Sequence, residues 1–269
     1  MRKTRYLHYL VIVACCFWTG LSTSPATAET VRIAHCFGGC PTGTPEQNSL
    51  IARAIYTLSF NPTTRIADWV AYVVTPGSIG VATNLSRDSR PDPYIDDTLQ
   101  PGEVGSAESE LELYYFAPLV SFAGTPYWSD VNFLTNRVPR NSELNRGSWY
   151  GLEWAVRNLA NRSEAVYVLT GPVYGDLQES GEDAEDGYEL RNYSDLSGVK
   201  VPGGFFKVVI DETGRMAAFV FPQDLPFHVH HCDQLIPVTE VESLTGLDLF
   251  PELALSPAED LSELLGCFR

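Results

Sequence analysis

The sequence is poor in positive charge. Eighteen Lys and Arg stand against 34 Asp and Glu in 269 residues, a formal net charge of −16 at pH 7. Such a field repels phosphate backbones, so it argues against tight nucleic-acid binding driven by diffuse counterion release. It leaves room for a local basic cleft. Walker loops, dinucleotide fingerprints and G-x-S-x-G elbows are all missing, which removes three common routes to nucleotide or ester chemistry. No linker, internal repeat or low-complexity block divides the chain, so residues 29–269 read as one domain able to bury a large core. After the first 28 residues no run is long and apolar enough for a membrane helix, and no membrane association is expected of the mature form.

The N-terminus carries a leader pattern. Arg2, Lys3 and Arg5 form a basic region, Tyr6 to Trp18 is apolar, and Ala26-Thr27-Ala28 fits a small-x-small cleavage site. Residues 1–28 are therefore expected to be a signal peptide, and the protein to be secreted or periplasmic. A lipoprotein anchor at Cys15 or Cys16 fits the pattern more loosely. Loss of Arg2, Lys3 and Arg5 with the leader takes the net charge from −16 to −19. Four cysteines remain: Cys36, Cys40, Cys232 and Cys267. An even count in an exported chain implies disulfides, with three pairings open. A zinc site is the rival reading, but Cys36 lacks a second close Cys or His pair.

Residues 50–59 and 65–74 are rich in β-branched and aromatic residues. Asn61-Pro62-Thr63-Thr64 separates them with turn chemistry, which predicts a hairpin. Residues 84–110 are polar and proline-bearing, a surface loop. Trp149, Leu152, Val156 and Leu159 share one face of a helix over 148–162. A strand over 165–170 is expected to end at Gly171-Pro172. An acidic loop from Glu179 to Glu189 follows, without the ligand spacing of a calcium loop. Residues 205–210 and 216–221 form a second hairpin around Asp211-Glu212-Thr213-Gly214. Short helices are expected at 239–246 and 257–265. Strands and helices do not alternate, which indicates an α+β fold with antiparallel sheet flanked by helices.

Glu112 to Glu153 is the most informative stretch. It contains Ala117-Pro118-Leu119, Ser121, Ala123-Gly124, Asn136, Pro139, Leu144-Asn145 and Leu152-Glu153 in order. Tyr56 to Thr75, Arg87 five residues before Asp92-Pro93, Val168 to Tyr174 and Glu263 to Cys267 extend the pattern along the chain. Together these resemble the DNA/RNA non-specific endonucleases, the ββα-metal secreted nucleases. The resemblance implies the ββα-metal nuclease fold, pairings Cys36–Cys40 and Cys232–Cys267, a Mg²⁺ (or Mn²⁺) cofactor, and DNA or RNA as substrate. A homodimer is compatible with it.

By the same resemblance Asn145 is the metal ligand, Glu153 bonds metal-bound water, Asn136 orients the site and Arg87 contacts phosphate. Ordinary roles exist for each: Asn145 as a helix-start residue, Glu153 paired with Arg157 at i,i+4, Arg87 as a loop arginine beside Asp88. The family's D-R-G-H is the departure: Glu112-Leu113-Tyr114-Tyr115 stands there. Leucine stabilises no anion, and tyrosine titrates near 10, far above the ordinary histidine value of about 6.5. Tyr115 at the base position therefore implies impaired hydrolysis, or an inactive pseudo-nuclease serving as a binding or structural module. No other histidine matches the catalytic place. His35 sits by the first cysteine loop. His228, His230 and His231 precede Cys232, either as an incidental polar loop or as a zinc or copper site.

Overall fold

The computed structural model describes residues 32–102, 111–175, 193–253 and 260–268. The leader and the acidic loop from Glu179 to Glu189 lie outside these residues. Among the described residues there are nine strands: β1 (Ser49–Ala52), β2 (Tyr56–Asn61), β3 (Ile66–Val74), β4 (Leu111–Tyr115), β5 (Arg137–Asn141), β6 (Val166–Val173), β7 (Gly204–Asp211), β8 (Met216–Pro222) and β9 (Leu235–Ile236). Seven of them pair antiparallel in the order β1-β2-β3-β6-β7-β8-β9, and β4 and β5 form a separate ribbon. The expected α+β class holds.

The sheet is buried on both faces, which explains the near-continuous apolar runs in β7 and β8. Phe205, Val209, Ala217, Phe219 and Phe221 pack on one side with α1 (Tyr150–Ala160). Phe206, Val208, Ile210, Ala218 and Val220 pack on the other with α2 (Val238–Thr245). Period two places Lys207 on the Phe205 face, under α1, at 0% exposure. Lysine is rarely buried without a partner, and here the partner comes from α1.

The helix that carries Glu153 starts irregularly. Asn141 caps a single turn, Ser142–Leu144, by accepting from the Glu143 N–H at 2.8 Å. A widened, π-type turn over Asn145–Trp149 follows, with Gly147 at φ −87°, ψ −116°. A Cβ on Gly147 would lie 2.5 Å from the Phe227 carbonyl oxygen, so only glycine lets the two backbones meet. This kink sets Asn145 apart from α1 while Glu153 stays on it.

Three expectations need correction. Residues 50–59 are not one strand: β1 and β2 are joined by a tight turn in which the Arg53 N–H donates to the Tyr56 carbonyl at 2.8 Å. β6 does not stop at Gly171-Pro172 but runs to Val173. β3 pairs with it only as far as Thr170, so Pro172 removes no bond from that side. Gly171 is needed there because an added Cβ would lie 2.4 Å from the Asp68 carbonyl oxygen. Over 257–265 the described residues show only a short turn of helix at Ser262–Leu265.

Both disulfides form as the resemblance implied, Cys36–Cys40 and Cys232–Cys267. The second spans 35 residues and ties Cys267 to the short 3-10 turn His231–Gln234, which carries Cys232. Loop-closure entropy makes it worth about 4 kcal/mol. Urea unfolding of Cys232→Ala/Cys267→Ala is expected to show a loss near that size, against about 2 kcal/mol for removing Cys36–Cys40.

Candidate active site

The β4–β5 ribbon brings Tyr115 opposite Arg137, and Glu112 opposite Arg140. The Tyr115 hydroxyl is engaged both as donor and as acceptor. Its hydroxyl donates to Asn132 Oδ1 at 2.8 Å and accepts from Arg137 Nη2 at 2.9 Å. The Arg137 guanidinium also lies 3.7 Å from the Tyr115 ring centroid. Burial raises the Tyr115 pKa, while Arg137 and Arg87 oppose this and Asp88 adds to it; the net shift is upward. The phenol is thus kept protonated at neutral pH. Tyr114 donates to Glu112 Oε2 at 2.9 Å, and burial with that bond raises its pKa too.

Arg87 is exposed, with its guanidinium turned onto the carbonyls of Leu85 and Ala82 at 3.3 and 3.2 Å. Its own carbonyl accepts from Arg137 Nη2 at 2.7 Å. Asn136 is fully buried. Its amide accepts from the Ala117 N–H at 2.9 Å and donates to the carbonyls of Ala117 and Val131 at 3.0 and 2.9 Å. It fixes the backbone that follows Tyr115, and both of its amide hydrogens are used in doing so.

Asn145 and Glu153 flank a cluster of buried cations. Arg140 Nη1 donates to Asn145 Oδ1 at 3.1 Å and to the Tyr115 carbonyl at 3.2 Å. Its guanidinium lies 3.8 Å from the Trp149 centroid and 4.6 Å from that of Phe205. Lys207 Nζ lies 3.8 Å from the same indole and 3.7 Å from Glu153 Oε1. Arg157 Nη1 stands 3.8 Å from Glu153 Oε2. Glu153 Oε1 also accepts from Trp149 Nε1 at 2.8 Å. Burial pulls Arg140 down to about 9 and Lys207 down to about 7, with Glu153 opposing both shifts. One carboxylate thus serves three basic side chains.

Among the described residues no histidine is hydrogen-bonded to Tyr115, Asn145 or Glu153. His230, His231 and Cys232 are neighbours, but the Cys232 sulfur is bonded to Cys267. His231 Nε2 pairs with the Leu265 carbonyl at 3.1 Å, and His230 Nδ1 accepts from the Cys232 N–H at 3.3 Å. The ring nitrogens left over fall short of a closed zinc site. His35 pairs with Thr57 Oγ1 at 3.0 Å, near the start of β2.

Residues 39–256 match the family model described as DNA/RNA non-specific endonuclease. The chain belongs to this family. It is 33% identical to a nuclease of Serratia marcescens, over 92% of this chain and 94% of that one. Nuclease C1 of Cunninghamella echinulata var. echinulata is 28% identical, over 81% and 88% of the two chains. Among solved structures, the EndoG/EndoGI complex matches with a TM-score of 0.66 at 24% identity, over 78% of this chain and 89% of that one, which shows the shared fold.

The divalent ion implied for this endonuclease family can be tested against the residues here. A magnesium ion sits about 2.1 Å from an oxygen ligand. Arg140 Nη1 is 3.1 Å from Asn145 Oδ1, so an ion on that oxygen lies within about 5 Å of the guanidinium nitrogen. At an effective dielectric of about 20 the repulsion is about 7 kcal/mol, and one carboxylate at similar range offsets it only once. Arg157 and Lys207 already use that carboxylate. The unpartnered polar atoms also have the wrong sign: Arg140 Nε and Nη2, Arg157 Nη1 and Lys207 Nζ are donors without hydrogen-bond acceptors among the described residues. The donor set fits resident organic cations and does not fit a hydrated divalent ion.

Sequence reasoning did not find Arg137, Arg140, Asn132 or Lys207. The one available signal was period two in Arg137–Asn141, which puts Arg140 on the same strand face as fully buried Val138.

Proposed function

We propose that this protein is an exported member of the non-specific endonuclease family whose phosphodiester cleavage is lost or strongly impaired, the fold persisting as a binding or structural module. Nucleic acid is the ligand class that family membership supports. The observation that carries the reading is the Tyr115 hydroxyl, which is hydrogen-bonded to Asn132 and Arg137 and shifted away from the titration range a base requires. Leu113 supplies no charge beside it. Export rests on the leader pattern ending at Ala28.

Loss of a general base costs about 10²–10⁴ in rate, and loss of one charge-stabilising group about 10²–10³. Supercoiled plasmid and total RNA, incubated with Mg²⁺ or Mn²⁺ beside the Serratia nuclease, are expected to be cut at about a thousandth of that rate or less. A rate within about tenfold of the Serratia enzyme overturns the proposal. The second reading is a working metal-dependent nuclease with Tyr115 as its base. Retention of Asn145 and Glu153 favours it, and it requires cleavage that Asn145→Ala abolishes.

A further inference from the structure

Arg140 joins the two halves of the centre. Its guanidinium reaches the Tyr115 carbonyl on one side and Asn145 Oδ1 on the other, and it is fully buried between Trp149 and Phe205. A side chain held by two acceptors and two aromatic rings is not displaced easily by an incoming ion. Lys207, also fully buried, packs on the same indole, and Arg157 stands on the far side of Glu153. The place beside Asn145 is therefore already filled by positive charge that belongs to the chain.

We propose that the Arg140 guanidinium has taken over the position of the divalent cation at Asn145, and that this centre is refractory to Mg²⁺ and Mn²⁺. Arg140 satisfies the amide oxygen that a metal would use. It also links that oxygen to the β4–β5 ribbon through the Tyr115 carbonyl. This deepens the reading above and rests on the same centre, but it concerns metal occupancy and not rate.

The test is Mn²⁺ binding to the full folded chain, followed by electron paramagnetic resonance of the free ion. The wild type and Asn145→Ala are expected to bind the same number of ions up to about 1 mM, since acidic surface sites contribute equally to both. Arg140→Gln is expected to gain one site, and Arg140→Gln/Asn145→Ala to lose it again. A wild-type site that disappears in Asn145→Ala overturns the proposal. So does a folded Arg140→Gln variant with no added site. If Arg140→Gln does not fold, the comparison of wild type with Asn145→Ala decides alone. The two proposals fail separately. Wild-type cleavage without an Asn145-dependent ion refutes impaired function only. An Asn145-dependent ion without cleavage refutes the stand-in cation only.

Discussion

Plasmid cleavage with Mg²⁺ is expected to rise about 10²-fold or more above wild type only when both halves of the centre are rebuilt together. One half is the ribbon strand, rebuilt as Leu113→Arg/Tyr114→Gly/Tyr115→His. The other is the metal position, opened by Arg140→Gln. At pH 7.5 an ordinary histidine is about 90% in its basic form, whereas a tyrosine titrating at 10 or above is less than about 0.3% phenolate. Tyr115 is pushed above that value by burial, so the exchange gains at least two orders of magnitude in available base. The glycine opens the space that Tyr114 fills, and the arginine returns a cation. None of this helps without an ion to counter charge on the phosphoryl group. Each half alone is therefore expected to stay at the wild-type level. A strand variant that cuts fast with Arg140 intact would show that the guanidinium is no barrier. Loss of the Tyr115 bonds to Asn132 and Arg137 costs stability, so each variant is compared at matched folded fraction.

The separation between what the sequence revealed and what it hid follows the range of the forces involved. The β7–β8 hairpin was legible because two β-branched and aromatic runs flank Asp-Glu-Thr-Gly, a local turn signal. α1 was legible because Leu152, Val156 and Leu159 repeat at helical spacing. The break between β1 and β2 was not, because Arg53-Ala54-Ile55 turns without glycine or proline. Asn145 and Glu153 were identified by order along the chain. Their partners were not, because Arg140 and Lys207 look like solvated charges until the sheet closes over them. The burial of Arg140 depends on Trp149 and Phe205, nine and 65 residues away in sequence, and no local pattern reports such contacts.

Glu153→Gln is expected to cost about 3–5 kcal/mol in urea unfolding at neutral pH, because it removes the only carboxylate facing Arg157 and Lys207 among the described residues. A residue retained merely for catalysis would cost little when replaced by its isosteric amide. Here the amide keeps an oxygen for Trp149 Nε1 but leaves buried positive charge without a counter-ion. Lys207 relieves part of this by releasing its proton. Its pKa is already drawn down to about 7, and Glu153 is what holds it from falling further. The loss is therefore expected at the lower end, about 3 kcal/mol, and to grow as the pH falls and protonation of Lys207 is enforced. Replacing the lysine as well, in Glu153→Gln/Lys207→Met, exchanges a buried ion pair for a neutral pair of similar volume. That double variant is expected to recover at least half of the loss. A single-variant cost below about 1 kcal/mol, or a double variant no more stable than Glu153→Gln, would mean that Glu153 does not hold the cation cluster together.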